Sequence, residues 1–202
     1  MMLPALDPWE ARWAPYGDDD YAAVLAALRT DDVVLDIGAG DLRLARRMAR
    51  VSRRVIAWEM QADLLARAQQ PFPPNLLAQR ADARVTPIPE GVTVAVLLMR
   101  HCQHYALYVS RLRAAGCVRL ITNARWGMGV EIIPLTPGLP WDEAGPGWYA
   151  CRRCGAVGFI ETAAETLDDR AIAVVQDVEG CPACQDDGSG LGLIYNSFDG
   201  GK

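Results

Sequence analysis

The chain is almost without lysine: among its 20 basic residues only Lys202 is not arginine. Beside so much alanine, that skew reads as the mark of a GC-rich genome more than as a functional choice. Long apolar runs are also missing. None approaches the ~20 residues that a bilayer-crossing helix needs, so a membrane span is excluded. The opening Met1-Met2-Leu3-Pro4 lacks the basic and apolar regions of a secretory signal, and a soluble cytoplasmic location is the expectation. Histidine is scarce: His101 and His104 are the only two, which confines imidazole chemistry to one short stretch. With 202 residues the chain can build one ordinary domain with a real core and a small appendage.

What is present begins with Asp31-Asp32-Val33-Val34-Leu35-Asp36-Ile37-Gly38-Ala39-Gly40. Val33 to Ile37 reads as a buried parallel strand, and the two glycines make a tight turn where a ligand can approach backbone. Leu42, Leu44, Ala45, Met48 and Ala49 then recur at helical spacing, with Arg43, Arg46, Arg47 and Arg50 mostly toward solvent. Strand, glycine turn and helix together form the first unit of a nucleotide-type site. The dinucleotide fingerprint requires a third glycine three residues after the second. Arg43 stands there, which argues against a nicotinamide-dependent reductase.

The pattern Asp36-x-Gly38-x-Gly40 resembles motif I of the class I S-adenosylmethionine-dependent methyltransferases. Val55 to Glu59 reads as a second strand ending in an acid, and Leu76 to Gln79 as a third, followed by Asp82. The resemblance covers roughly residues 16 to 135. It implies a doubly wound, mostly parallel α/β sheet of Rossmann-like methyltransferase type. It also implies S-adenosylmethionine as cofactor, its amino group held with help from Asp36 and its backbone contacts made by Gly38, Ala39 and Gly40. Glu59, followed by Met60, would take the ribose hydroxyls, and Asp82 the adenine amino group. An N-terminal segment ahead of a helix from Asp18 to Leu28 would cover the cofactor, with Tyr16 as a contact. Val92 to Leu98, Cys117 to Thr122 and Val130 to Leu135 read as further strands, and Gln103 to Ala115 as a helix capped by Gly116. The usual seven-stranded sheet would be shortened here, with a metal module replacing its end.

Met99-Arg100-His101-Cys102-Gln103-His104-Tyr105 should lie beyond the carboxyl end of the fourth strand, where reacting groups gather. Family members that methylate exocyclic amines or amides carry Asp or Asn, two prolines and an aromatic residue at this point, and this chain does not. His101 or His104 could act as general base, could join Cys102 in a metal site, or could simply cap and line the next helix. After the fifth strand, Asn123, Arg125 and Trp126 sit on a glycine-flanked loop that could recognise a planar or anionic acceptor, or could pack.

Four of the six cysteines fall in two C-x-x-C units, Cys151/Cys154 and Cys181/Cys184. Paired units of this kind converge on one tetrahedral Zn2+ and resemble a zinc ribbon; a disulfide pair or a rubredoxin-like iron site are the alternatives. Ala156 to Glu161 and Ala171 to Val178 read as ribbon strands. Acids outnumber bases from Asp142 to Asp187, so charge does not support nucleic acid as a partner of the ribbon. A protein contact, or a lid over the neighbouring site, fits better. The expected organisation is a cofactor-binding domain over 1–136, a ribbon over 137–190 and a tail over 191–202. The expected function is methyl transfer to an acceptor the sequence does not name. The alternative is an inactive methyltransferase-fold module that senses cofactor or docks a protein partner through the acidic ribbon.

Overall fold

The computed structural model describes residues 14–68, 70–125, 129–164 and 167–184. The expected tail, and Trp126 of the acceptor loop, lie outside the described residues. Element order is α1 (Asp18–Ala27), β1 (Val33–Ile37), α2 (Arg43–Met48), β2 (Arg54–Glu59), α3 (Ala62–Ala66), β3 (Leu76–Arg80), β4 (Val94–Leu97), α4 (Tyr105–Ala114), β5 (Arg119–Thr122) and β6 (Glu131–Pro134). These strands form one sheet in the order β3-β2-β1-β4-β5-β6. β1 to β5 run parallel, and β6 returns antiparallel to β5.

Alternation along the strands explains why both faces are covered. Leu35 and Ile37 of β1, Ile56 and Trp58 of β2, and Ala95 and Leu97 of β4 pack with Tyr105, Tyr108, Val109 and Leu112 of α4. The intervening Val34, Val55, Ala57, Val94 and Val96 pack with Tyr21 and Val24 of α1 and with Leu44, Ala45 and Met48 of α2. A sheet buried on both faces calls for near-continuous apolar strands, which is how these segments read. The chain winds outward from β1 to β3, then crosses back and continues from β4. The carboxyl ends of β1 and β4 therefore flank the point where strand order reverses, the place where such sheets open a crevice.

The cysteine-bearing segment builds a sheet of its own rather than completing the first. β7 (Leu139–Pro140), β8 (Gly147–Cys151), β9 (Val157–Ile160) and β10 (Gln176–Glu179) lie in the order β7-β10-β8-β9, with the short α5 (Asp169–Ala173) ahead of β10. As expected, the first sheet is shortened to six strands, with β6 as its antiparallel edge and the cysteine-bearing module following it. One correction follows. The stretch read as a strand from Ala171 begins instead as helix, because the Asp168 carboxylate accepts the Ala171 N–H at 2.7 Å and so caps its first turn.

The two sheets are bolted together by arginines of the first and acids of the second. Arg125, just after β5, donates to Glu131 at 2.7 and 3.1 Å and to Asp177 of β10 at 2.8 Å. Its side chain is only 4% exposed. Arg113 of α4 grips Glu179 through both terminal nitrogens at 2.8 and 2.9 Å. At the first knuckle, Gly155 (φ +80°) leaves room for the Tyr105 ring; a β-carbon there would stand 2.8 Å from Cδ1. Arg125 is thus a buried tether and not the acceptor-recognising group its loop position implied. Replacing it leaves two carboxylates facing each other in a partly desolvated seam. Arg125→Gln is expected to lower stability by about 3 kcal/mol in urea unfolding, and Arg113→Gln, whose pair keeps 23% exposure on each side, by about 1 kcal/mol. Equal losses would contradict this ranking.

Candidate cofactor site and candidate metal centre

A cavity of about 520 Å³ opens at the switch point. Its floor is the sheet-edge end of the α4-side core: Ile37, Trp58, Ala83 and Tyr108. Gly38 follows β1, Glu59 ends β2 and Met60 follows it. Asp82 and Arg84 follow β3, and Met99 and Arg100 follow β4. Ala14 to Gly17 and Asp20 of the N-terminal segment close another side, so Tyr16 lies where a covering segment was expected.

Glu59 organises this edge. Its Oε2 accepts the Gly40 N–H at 2.9 Å and its Oε1 accepts the Gln61 N–H at 2.8 Å. A carboxylate offers about four lone-pair sites, so two remain for a ligand's hydroxyl pair. The glycine turn is closed by the same strand end: Gly38 and Ala39 both donate to the Trp58 carbonyl at 2.9 Å. Gly38 takes φ +75° and Gly40 φ +58°, which glycine adopts without steric cost. With all three N–H groups engaged, and a carboxylate behind them, this turn has no donors to cradle a phosphate. Gly38 faces the cavity; Ala39 and Gly40 are not among its lining residues and shape it from behind.

Asp36 lies where alternation sends it, on the α1/α2 face of β1, and it does not line the cavity. Its register partner is Ala57, two residues before Glu59 and so on the same face. Burial, and then the negative charge of Glu59, push its pKa from 3.8 up to about 7. Its Oδ2 has no hydrogen-bond partner among the described residues. Asp82 behaves oppositely. Burial alone would raise it, but hydrogen bonds from the Arg84 side chain and backbone outweigh that and hold the carboxyl below its ordinary range. Arg84 reaches it at 2.9 Å through both Nε and a terminal nitrogen.

The two histidines stand at the rim. His101 occupies an exposed turn at φ +61°, and His104 is the residue before α4, its carbonyl accepting the Tyr108 N–H. Neither lines the cavity, but the His104 ring meets Tyr108 edge-on at 6.2 Å between centroids. Among the described residues the one cluster of metal-ligating side chains close enough to share an ion is the cysteine quartet, so the His101–Cys102–His104 metal reading is not supported.

That quartet fits zinc. The Sγ atoms of Cys151, Cys154, Cys181 and Cys184 all lie within 4.8 Å of one another. Separations are 3.7 Å for Cys151–Cys184, 3.6 Å for Cys154–Cys181 and 3.9 Å for Cys181–Cys184. Four thiolates at the usual Zn–S distance of about 2.3 Å would stand about 3.8 Å apart, whereas a disulfide needs roughly 2 Å. Hydrogen bonds from Cys154, and then Cys181, pull the Cys151 thiol far below its usual range. Among the described residues none of the ribbon lines the cavity, so the described part of the module is not a lid over it. Two of the ribbon's acids, Asp177 and Glu179, face this chain's own arginines.

Sequence reasoning missed Asp20 as a cavity residue, and it placed Arg100 in the stretch at the site without giving it a role. Both stand in otherwise ordinary positions, one in the first turn of α1 and one just past β4, and only the fold brings them together.

No protein-family model matches the chain, and no curated protein does. Among solved structures it is similar to the YcgJ protein of Bacillus subtilis at 17% identity, over 52% of this chain and 50% of that one, with a TM-score of 0.43. It is similar to phosphoethanolamine N-methyltransferase 1 of Haemonchus contortus at 19% identity, over 51% and 24%, with a TM-score of 0.44. It is similar to a TehB-like methyltransferase of Corynebacterium glutamicum at 18% identity, over 55% and 64%, with a TM-score of 0.45. The chain spans less than two thirds of each of these proteins. Likeness at this level carries no argument about activity; the Rossmann-like methyltransferase fold rests on strand order and register. Among the described residues no helix is long and apolar enough to cross a membrane.

Two outcomes are expected. Metal analysis of protein purified without chelator should give about one zinc per chain, and stripping it should unfold the ribbon; metal-free protein with an intact ribbon would contradict the assignment. The cost of ionising Asp36 is absent below about pH 4, where the carboxyl is protonated folded and unfolded, and complete above about pH 7. Asp36→Asn should therefore gain on the wild type by roughly 2–3 kcal/mol between pH 5 and pH 7.5 in urea unfolding. A difference independent of pH would refute the buried, neutral carboxyl.

Proposed function

We propose that the cavity binds S-adenosylmethionine and that the chain is a methyltransferase. The observation that carries this reading is the pair Glu59 and Asp82, at the ends of neighbouring strands β2 and β3, in a cavity whose glycine turn has no free donor for phosphate. A nucleoside without pyrophosphate suits that arrangement. Glu59 would accept the ribose hydroxyls on its two remaining lone-pair sites. Asp82, ionised and held by Arg84, would accept the adenine amino group, with Ile37, Trp58 and Tyr108 giving the base an apolar bed.

When bound, the cofactor would supply an electrophilic sulfonium methyl group to a nucleophilic acceptor. The chain's own part is positioning and exclusion of water. Gly38 matters for close approach: a β-carbon there would stand 3.3 Å from Met99 Cε and narrow the crevice between β1 and β4. His104, beside Tyr108, is the better placed of the two histidines to take the acceptor's proton. The zinc ribbon's role is structural, since four thiolates leave no open coordination position.

Calorimetry with S-adenosylmethionine and S-adenosylhomocysteine tests the pocket. Both should bind, and Glu59→Gln should weaken each by about tenfold or more by removing charge-assisted bonds. Absence of binding to the wild type, or unchanged affinity in the variant, would reject the reading. Turnover is tested by labelled methyl transfer into a cell lysate sorted into nucleic acid, protein and small molecules. Label in one fraction supports an enzyme; label in none, with binding intact, supports a cofactor-sensing module.

A further inference from the structure

Asp20 and Arg100 form the far wall of the cavity, on the β4 side of the switch point, opposite Glu59 and Asp82. Their mutual contact is loose. Arg100 reaches Asp20 only at 3.5 Å, and the two side chains keep 38% and 21% exposure. The Arg100 Nε has no hydrogen-bond partner among the described residues. Arg84, the other guanidinium of the cavity, is closed onto Asp82 at 2.9 Å with 11% and 3% exposure. One pair is thus locked, and the other can open at little cost, because a long, partly exposed ion pair contributes little.

Arg100 is nevertheless held in place. Its backbone N–H donates to the Tyr16 hydroxyl at 3.1 Å, and its guanidinium lies over the Tyr16 ring, 5.1 Å from the centroid. The N-terminal segment therefore brings both the acid and the platform that orients the base. Strands β3, β2, β1 and β4 are neighbours in that order, so Asp82 and Arg100 are separated by three strand spacings, about 14 Å. An extended nucleoside joined to an amino-acid chain can bridge that gap. Asp36, the acid that the motif would assign to the amino group, does not reach the cavity.

We propose that Asp20 and Arg100 are the receptor for the amino-acid end of the bound nucleoside, Asp20 taking the ammonium and Arg100 the carboxylate, with Tyr16 positioning the guanidinium. The ligand inserts between the two and replaces a loose ion pair by two charge-assisted ones. This assignment rests on the reading of the cavity as an S-adenosylmethionine site, and it separates the two halves of the ligand physically: adenosine to Glu59 and Asp82, amino acid to Asp20 and Arg100.

The test compares S-adenosylhomocysteine, which carries the amino-acid end, with 5′-methylthioadenosine, which lacks it, by calorimetry on the full chain. Wild type should prefer S-adenosylhomocysteine. Arg100→Gln and Asp20→Asn should each weaken S-adenosylhomocysteine by about tenfold or more while leaving methylthioadenosine within about twofold, so that the second ligand also reports an intact fold. Glu59→Gln should weaken both ligands together. Unchanged S-adenosylhomocysteine affinity in Arg100→Gln and Asp20→Asn, with wild-type binding intact, overturns this proposal and leaves the cofactor reading standing. Parallel loss of both ligands in Arg100→Gln also overturns it, since the residue would then only shape the cavity. If the wild type binds neither ligand, both readings fall.

Discussion

The carboxylate of Glu59 holds the functional edge of this molecule together. It terminates β2, ties the glycine turn after β1 through Gly40, ties its own exit through Gln61, and still presents lone pairs to the cavity. Its charge also bears on Asp36 in the next strand, where burial and then that charge raise the pKa to about 7. Two charges on one face of a buried sheet are costly, and protonating Asp36 removes one of them. The glycine turn then has a shape-making role. Its N–H groups serve the protein, and recognition passes to side chains around the rim.

The cysteine module belongs to the same mechanical unit. Arg113 and Arg125 reach from α4 and the end of β5 to Glu179 and Asp177, and Tyr105, at the head of α4, lies beneath Gly155 of the first knuckle. α4 also supplies Tyr108 to the cavity floor. A metal held by the knuckles would thereby brace the helix that floors the cavity, while no described ribbon residue enters it. The acidity of the module, conspicuous in the sequence, finds part of its partner within the chain.

Much of this was legible before any coordinates. The Val33–Ile37 and Val55–Glu59 runs declare themselves as doubly buried strands, the acid-glycine pattern places the turn, and two C-x-x-C units place the cysteine quartet whose sulfurs converge. What was not legible depends on partners remote in sequence. Whether Asp36 faces the ligand or the helices is decided by strand alternation against α1 and α2. Arg125 looks like a recognition residue until Asp177, 52 positions later, arrives beside it. The apolar run from Ala171 suits a strand or a helix equally, and the Asp168 cap that decides it was a local signal open to reading. β7 and β8 are masked by the prolines and glycines around them, since their pairing with β10 is what makes them strands.

The most direct test is a crystal structure of the chain with S-adenosylhomocysteine. The expected result is the nucleoside in the switch-point cavity, both ribose hydroxyls on the Glu59 carboxylate and the adenine amino group on Asp82. A ligand bound elsewhere, or a cavity that stays empty at saturating ligand, would contradict it.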